Sequence, residues 1–406
     1  MKDRMFVVPG TFVPHNDTVT LLSYKRLRNL DLDFDVFTMK AKEDQSLISE
    51  LNKDPNFKKF NIKYSVDSEW AVPRNHPLRL PFSFHYQREY INDSLKEFEK
   101  GKYKYLFTSI VPGVSHLCGL KIKKKHPEVI WYASFSDPFK NSPYKKAENS
   151  GRGSIYKFVY SVGGYFLYND KYEEAAVLNA DKLVFICEEQ RDYTLSQYPN
   201  SEELKRKSII MPLTYIPDWG MYKELLNAKE VNNTPKQAVH LGRLYGLRTI
   251  DTFLDALKEL KAEDLGLCNK IVFHQYSEIQ KPDIQKIEDY GLEDVFMLHN
   301  SVSYKESVEI MKNSDILVLF DSLMPHAKVQ PYLPSKIVEY MMLKKPILGI
   351  CDNNSPSYRI LKAHGYSTVG SEKEMIKENI RELIASKKKI SVISAPKSDD
   401  FNMLEL

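Results

Sequence analysis

Two arginines five residues apart carry the most readable chemistry of this chain. In His240-Leu241-Gly242-Arg243-Leu244-Tyr245-Gly246-Leu247-Arg248, a short apolar strand from Ala238 to Leu241 runs into a glycine and then presents Arg243 and Arg248. Further on, Pro334-Ser335-Lys336-Ile337-Val338-Glu339-Tyr340 opens a helix and is followed by Lys345-Pro346. Each piece lies where a strand or loop hands over to a helix, so each offers unpaired amide N–H groups and a positive dipole end to an anion. Taken singly, each has a plainer reading. Gly242-Arg243 could be a strand-ending turn with solvated arginines, and Lys336 with Glu339 an exposed helical pair worth a few tenths of a kcal/mol. Their joint order and spacing point instead to a nucleotide-diphosphate site.

These residues need elements to hold them, and composition bounds what those can be. A chain of 406 residues with 42% hydrophobic content can bury ample core and is long enough for two domains. Its net charge of +4 is mild, and the lysines are scattered without a nucleic-acid-binding pattern, so no nucleic-acid partner is expected. Cys118, Cys187, Cys268 and Cys351 stand far apart, which suggests neither a disulfide framework nor a metal site and fits the cytosol. Lys2 and Arg4 precede too short an apolar run, Met5 to Val8, for a secretory signal. No apolar stretch approaches the roughly 18 residues of a spanning helix.

Along the chain, Met5 to Val8, Asp35 to Thr38, Tyr103 to Thr108, Val129 to Tyr132, Lys182 to Ile186 and Ser208 to Pro212 read as strands alternating with helices, the first over 18–30. Phe57 to Pro81, with prolines at 73, 77 and 81, reads as an irregular exposed loop. Gly10, His116 and Asp137 fall at carboxyl ends of strands, where parallel sheets gather ligand-touching residues. Asp137-Pro138 could equally start a turn. Ser154 to Asp170 carries Ile155, Phe158, Val159, Val162, Tyr165 and Phe166 at helical spacing, with Lys140, Lys145, Lys146, Arg152 and Lys157 nearby. That stripe reads as core-facing, with a basic membrane-surface helix as the alternative. Residues 1–215 form a first domain, 216–235 a linker, 236–385 a second domain and 386–406 a tail. The second domain repeats the alternation, with strands at 238–241, 270–275, 294–298, 315–320 and 346–350. The fold class is α/β, two facing parallel-sheet domains with a cleft between them. Neither G-x-G-x-x-G nor a P-loop occurs.

At this point the residues carry a resemblance. Gly242-Arg243 with Arg248, Val302-Ser303-Tyr304-Lys305-Glu306 leading to Asn313-Ser314-Asp315-Ile316-Leu317-Val318, and Pro334 to Tyr340 before Lys345-Pro346 resemble the C-terminal domain of GT-B glycosyltransferases, specifically the retaining family-4 group. The likeness covers residues 236–370 well. It is fainter in the first half, where Trp131 to Pro138 is similar to a segment of relatives that build bacterial surface polysaccharides.

The resemblance implies a glycosyltransferase of hexosyltransferase type. It would move a sugar from a nucleotide-diphosphate donor, expected to be a UDP-sugar, to a saccharide or polyprenyl-linked acceptor, without metal or cofactor and with retention. It would work in the cytoplasm, with possible peripheral contact at the inner face of the membrane. Arg243 and Arg248 would hold the diphosphate in the loop of Gly242. Ser335 and Lys336 would offer helix amides to phosphate, and Glu339 would bind the ribose. His299 and Ser301 would flank the base. The family's second glutamate, eight residues before Glu339, is here Pro331, with Gln330, Lys328 or His326 as substitutes. Asp137 stands where some relatives carry an acceptor-side histidine and would orient or deprotonate the acceptor hydroxyl, with Gly10 and His116 nearby. The rival readings are a nucleotide-sugar epimerase and a catalytically silent nucleotide-sugar-binding subunit.

Overall fold

The computed structural model describes residues 2–72, 79–144, 170–229, 231–385 and 393–404. It divides into two compact units, Met1–Ile216 with Lys397–Leu406, and Pro217–Pro396.

The first unit is a seven-stranded sheet in which every neighbouring pair is parallel. Its strands are β1 (Arg4–Val8), β2 (Asp33–Lys40), β3 (Phe60–Asp67), β4 (Tyr105–Ser109), β5 (Ile130–Ser134), β6 (Lys182–Phe185) and β7 (Ser208–Ile210), in the order β3-β2-β1-β4-β5-β6-β7. Helices α1 (Thr18–Leu27), α2 (Gln45–Lys53), α3 (Ser68–Ala71), α4 (Leu80–Phe98), α5 (Val114–Lys125), α6 (Asp170–Asn179), α7 (Glu188–Leu195) and α8 (Ser201–Arg206) connect them. A sheet covered on both faces buries both sides of its strands, so the central strands read as continuous apolar runs, RMFVV in β1 and YLFTS in β4. Phe6, Leu106, Trp131, Leu183 and Phe185 from the sheet pack with Tyr90, Cys118, Ile122 and Ala176 from the helices.

The second unit holds five parallel strands, β8 (Lys236–Leu241), β9 (Ile271–Tyr276), β10 (Phe296–His299), β11 (Ile316–Phe320) and β12 (Ile347–Ile350), in the order β10-β9-β8-β11-β12. Its helices are α9 (Gly220–Leu226), α10 (Asp251–Glu263), α11 (Lys281–Asp289), α12 (Tyr304–Asn313), α13 (Lys336–Leu343), α14 (Pro356–Ala363) and α15 (Lys373–Ala385). α10 buries Phe253, Leu254, Leu257 and Leu260, a helical stripe that closes over Phe273, Val318 and Phe320. α12 begins with a capping box, Ser303 and Glu306 exchanging side-chain and backbone bonds.

The α/β expectation of two parallel-sheet domains is met. The stretch Phe57 to Pro81, expected to be irregular, is regular in its first part: a short 3₁₀ turn, Pro55–Lys59, leads into edge strand β3 and then α3, while residues 73–78 lie outside the described residues. β3 alternates buried and exposed positions weakly, and an edge strand covered on one face gives no continuous apolar run. The expected helical stripe of 154–170 and the basic residues Lys145, Lys146, Arg152 and Lys157 lie outside the described residues, except that Asp170 starts α6. Among the described residues no helix is long and apolar enough to cross a membrane. Cys118, Cys187, Cys268 and Cys351 are free thiols.

Candidate active site

In the second unit, β8 is the strand at which the order turns back, with β9 on one side and β11 on the other. Ligands of open parallel sheets collect outside the carboxyl ends at such a point, and the loop from Gly242 starts there. Gly242 is clamped at both backbone groups: its N–H donates to the Tyr276 carbonyl at 3.2 Å, and its carbonyl accepts from Gln275 Nε2 at 2.8 Å. A Cβ at Gly242 would stand 3.2 Å from Nε2 of the buried His240, a tight contact that the ring would have to yield to.

The loop puts both guanidinium groups around one ring. The carbons of Arg243 and Arg248 lie 5.9 and 5.7 Å from the centre of Tyr245. They differ in company. Arg243 is largely exposed and paired with Glu278, itself exposed, in the loop after β9. Arg248 is half-buried and forms no ion pair among the described residues, and its Nε is buried without a partner. Asp321, at the end of β11, is fully buried. One oxygen accepts from Ser322 N–H at 2.7 Å, and the other has no partner. Burial pushes its carboxyl up to about 6, with the charge of Arg248 among the opposing effects. His240 donates from Nδ1 to the Val318 carbonyl at 2.8 Å, and burial pushes its imidazole down to about 3, so the ring is neutral and adds no third charge.

Ser335 and Lys336 begin α13, whose first turn no side chain caps. Glu339 is held from two sides: Lys336 Nζ lies 2.6 Å from one oxygen, and the Tyr304 hydroxyl donates to the other at 3.1 Å. The Lys336 ammonium also sits 5.3 Å from the centre of the Tyr304 ring. Tyr340 accepts a bond from Leu241 N–H at 3.1 Å, which ties α13 to the root of the arginine loop. The structure therefore brings Gly242, Arg243, Arg248, Lys336 and Glu339 into one neighbourhood, linked through Tyr340 and the end of β8.

The other expected residues divide. His299 ends β10 and stacks on Tyr276, ring centres 4.4 Å apart. Gln237 Nε2 donates to the Pro235 carbonyl, which leaves its oxygen to accept from His274 Nε2 at 2.7 Å. His274 Nδ1 is then an acceptor for His299 Nε2–H at 2.9 Å. Ser301 bonds to Ser277 hydroxyl to hydroxyl at 3.0 Å. Gln330 is fully buried, and its amide is spent inside its own loop. Nε2 donates to the Ser322 carbonyl at 3.1 Å, and the oxygen accepts from Tyr332 N–H. It braces the loop beside Pro331, while His326 and Lys328 are exposed.

In the first unit the order turns back between β1 and β4. Gly10 follows β1 with φ of +85°, a conformation that favours glycine. A Cβ there would lie 2.3 Å from Pro112 Cδ in the loop after β4. His116 is fully buried on α5. Trp131 Nε1 donates to Thr108 Oγ1 at 2.8 Å, and Thr108 Oγ1 lies 2.8 Å from His116 Nδ1. Burial pushes His116 down to about 3, and its Nε2 has no partner. Asp137 is half-buried just after β5. Sequence reasoning passed over Tyr245, His240, Tyr304 and Asp321. Tyr304 stood inside a quoted motif, but its bond to Glu339 spans thirty-five positions and leaves no local pattern.

Comparison with known proteins adds to this geometry. Residues 222–395 match the family model described as glycosyl transferases group 1, a span that coincides with most of the second unit. By sequence, no curated protein matches the chain. Among solved structures, the lipopolysaccharide outer core galactosyltransferase WaaB in its apo form is similar at TM-score 0.57 and 12% identity, over 94% of this chain and 90% of that one. Anabaena Alr3699/HepE in complex with UDP and glucose is similar at TM-score 0.58 and 11% identity, over 100% and 97%. The UDP-GlcNAc 2-epimerase of Methanocaldococcus jannaschii is similar at TM-score 0.51 and 12% identity, over 98% and 96%. At such identities the structural likeness is one of fold. The chain is a transferase enzyme of GT-B fold whose residues 222–395 match the group 1 glycosyl transferase model.

Proposed function

We propose that the enzyme transfers a sugar from a nucleotide-diphosphate donor, a UDP-sugar, to a hydroxyl of a saccharide or lipid-linked acceptor, with retention and without a metal ion. The observation that carries this reading is Arg248: a half-buried guanidinium with no ion pair among the described residues, sharing the ring of Tyr245 with a second arginine in a loop whose strand is tied to α13 through Tyr340. When a glycosyl-phosphate bond breaks, negative charge grows on the diphosphate. Fixed guanidinium groups and a helix N-terminus oppose that charge without reorganising. Lys336, Glu339 and Tyr304 form a polar cluster suited to ribose hydroxyls, the carboxylate accepting and being held in place by the other two. Tyr276 and His299 offer a stacked aromatic surface to a base. HepE was solved with UDP and glucose, which supports a UDP-linked donor. On this reading Asp137 orients or deprotonates the acceptor hydroxyl.

The fold is shared with an epimerase, so the test must separate the two. Incubation with a UDP-sugar and no acceptor, followed by NMR, should show slow hydrolysis and no epimer. Accumulation of an epimer would replace transfer by epimerisation. A thermal-shift panel of UDP-, GDP- and dTDP-sugars should single out the UDP series. A ligand at a hundred times its dissociation constant adds about 2.7 kcal/mol, so a flat panel would remove the donor assignment.

A further inference from the structure

Asp137 is followed within two residues by a backbone amide tied to a buried carboxylate. Glu173, on α6, is completely buried. One of its oxygens accepts from Phe139 N–H at 2.6 Å, and the other accepts from the Tyr198 hydroxyl at 3.0 Å. The Lys140 ammonium lies over the Tyr198 ring at 4.4 Å. Phe139 is itself fully buried, and a Cβ on Gly113 would lie 2.9 Å from its ring, so the segment after Asp137 is fixed by side chain and backbone together. A carboxylate placed this deep is expensive unless its oxygens are satisfied. Here the satisfying groups are the turn that leaves β5 and the tyrosine after α7.

We propose that Glu173 is the positioning residue for Asp137, its buried carboxylate holding the Phe139 amide so that the turn at the end of β5 presents Asp137 in one orientation. This rests on the acceptor-side role given to Asp137 above. The ionised carboxylate accepts both bonds, one on each oxygen. Once protonated it carries an O–H and loses acceptor capacity, so the turn is held best by the charged form. Burial pushes Glu173 up to about 7. The groups facing it are Asp170 on its own helix, which raises it further, Tyr193 and Tyr198 from α7 and the segment after it, and Lys140 from the turn. Loss of the holding form therefore sets in as pH falls through neutrality. The stability contribution runs the other way. A carboxyl raised above its ordinary value costs nothing below that value and most above about 7, so the residue is kept at a position where its active form destabilises the fold.

The test uses the full chain. Wild type, Glu173→Gln, Glu173→Ala and Tyr198→Phe are compared by steady-state kinetics from pH 5.5 to 9, by hydrogen exchange of the peptide 135–142, and by the thermal shift with a UDP-sugar. Wild type should show an acidic limb in kcat with its midpoint near neutrality. Glu173→Gln should lose that limb and about tenfold in kcat, with donor KM unchanged. Tyr198→Phe, which removes one bond to the ionised form, should move the limb to higher pH. Glu173→Ala should speed exchange across 135–142 while keeping the donor shift. If exchange in that peptide is unchanged in Glu173→Ala, or if kcat and its pH profile are unchanged in both Glu173→Gln and Tyr198→Phe, Glu173 is a packing residue and the proposal is wrong. Absence of any donor shift in wild type would instead undo the functional reading, and the exchange experiment would still decide whether Glu173 holds the turn.

Discussion

The two arginines of the second unit are not equivalent, and the difference is open to measurement. A charge-assisted contact to the leaving diphosphate is worth roughly 1.5–3 kcal/mol, so Arg248→Ala should lower kcat/KM by about tenfold to 150-fold. If the contact tightens as charge develops, most of the loss falls on turnover. Arg248→Lys should be milder, since lysine keeps a point charge and gives up the planar fork. Arg243→Ala should fall in the same range or below it, because Glu278 already competes for that guanidinium. Full activity in a well-folded Arg248→Ala protein would reduce the loop to a turn. Tyr304 makes a gentler probe. Tyr304→Phe removes one neutral donor to Glu339, a bond worth about 0.5–1.5 kcal/mol. Donor KM should rise by about threefold to tenfold with kcat little changed, and an unaltered donor KM would take Glu339 out of the ribose role. Arg243 and Arg248 were legible because a glycine and two like charges sit within seven consecutive positions. The residues around them were not: Glu278, which pairs with Arg243, and Tyr304, which holds Glu339, come from elements tens of residues away.

At the scale of elements, each parallel sheet places a buried, neutral histidine near its switch point, His116 on α5 and His240 at the end of β8. Both are pushed down to about 3 by burial. A histidine with a lowered folded value contributes stability that is complete above its ordinary range near 6.5 and drains away as pH falls toward 3. At pH 5 each should have cost about 2 kcal/mol relative to pH 7, taking 1.36 kcal/mol per unit. Urea unfolding at pH 7 and pH 5 should therefore show a loss that is smaller in His116→Gln and in His240→Gln. Equal losses in wild type and variants would mean that these rings take up protons without opening the fold. The strands at these switch points were visible in the sequence as apolar runs, since burial on both faces leaves no polar alternation to confuse them. β3 was missed for the converse reason, being an edge strand whose Asn61, Lys63 and Tyr64 look like loop. α9 was hidden by Pro217 and Gly220, which read as linker, although Tyr222 and Leu225 bury a face.

At the scale of the whole molecule, the chain leaves the first unit at Ile216 and returns to it at Lys397. The returning segment is fastened there: Ser398 N–H donates to the Tyr215 carbonyl at 2.8 Å, and Tyr215 and Lys397 form a parallel bridge. Arg28, almost fully buried, bonds to Asp54 on one side and to Asp399 at 2.7 Å on the other, and Met403 is completely buried. Residues 397–404 are thus part of the first unit's packing, although nothing in their polar sequence says so. The test is a chain ending at Pro396. Emptying the site of a buried methionine costs about 2–5 kcal/mol, and loss of the half-exposed Asp399 adds little beyond that. Calorimetry should show the transition of the first unit lowered by about 4–20 °C, at about 2–4 °C per kcal/mol for a unit of this size. The donor-induced shift, which belongs to the second unit, should persist. Asp54→Ala in the otherwise intact chain should be at least as severe, because Asp54 is the buried partner, accepting twice from Arg28 and once from Tyr24, and breaking a buried pair costs about 3–5 kcal/mol. If the shortened chain melts as wild type does, the tail lies on the first unit without stabilising it, and the return of the chain is a matter of connection alone.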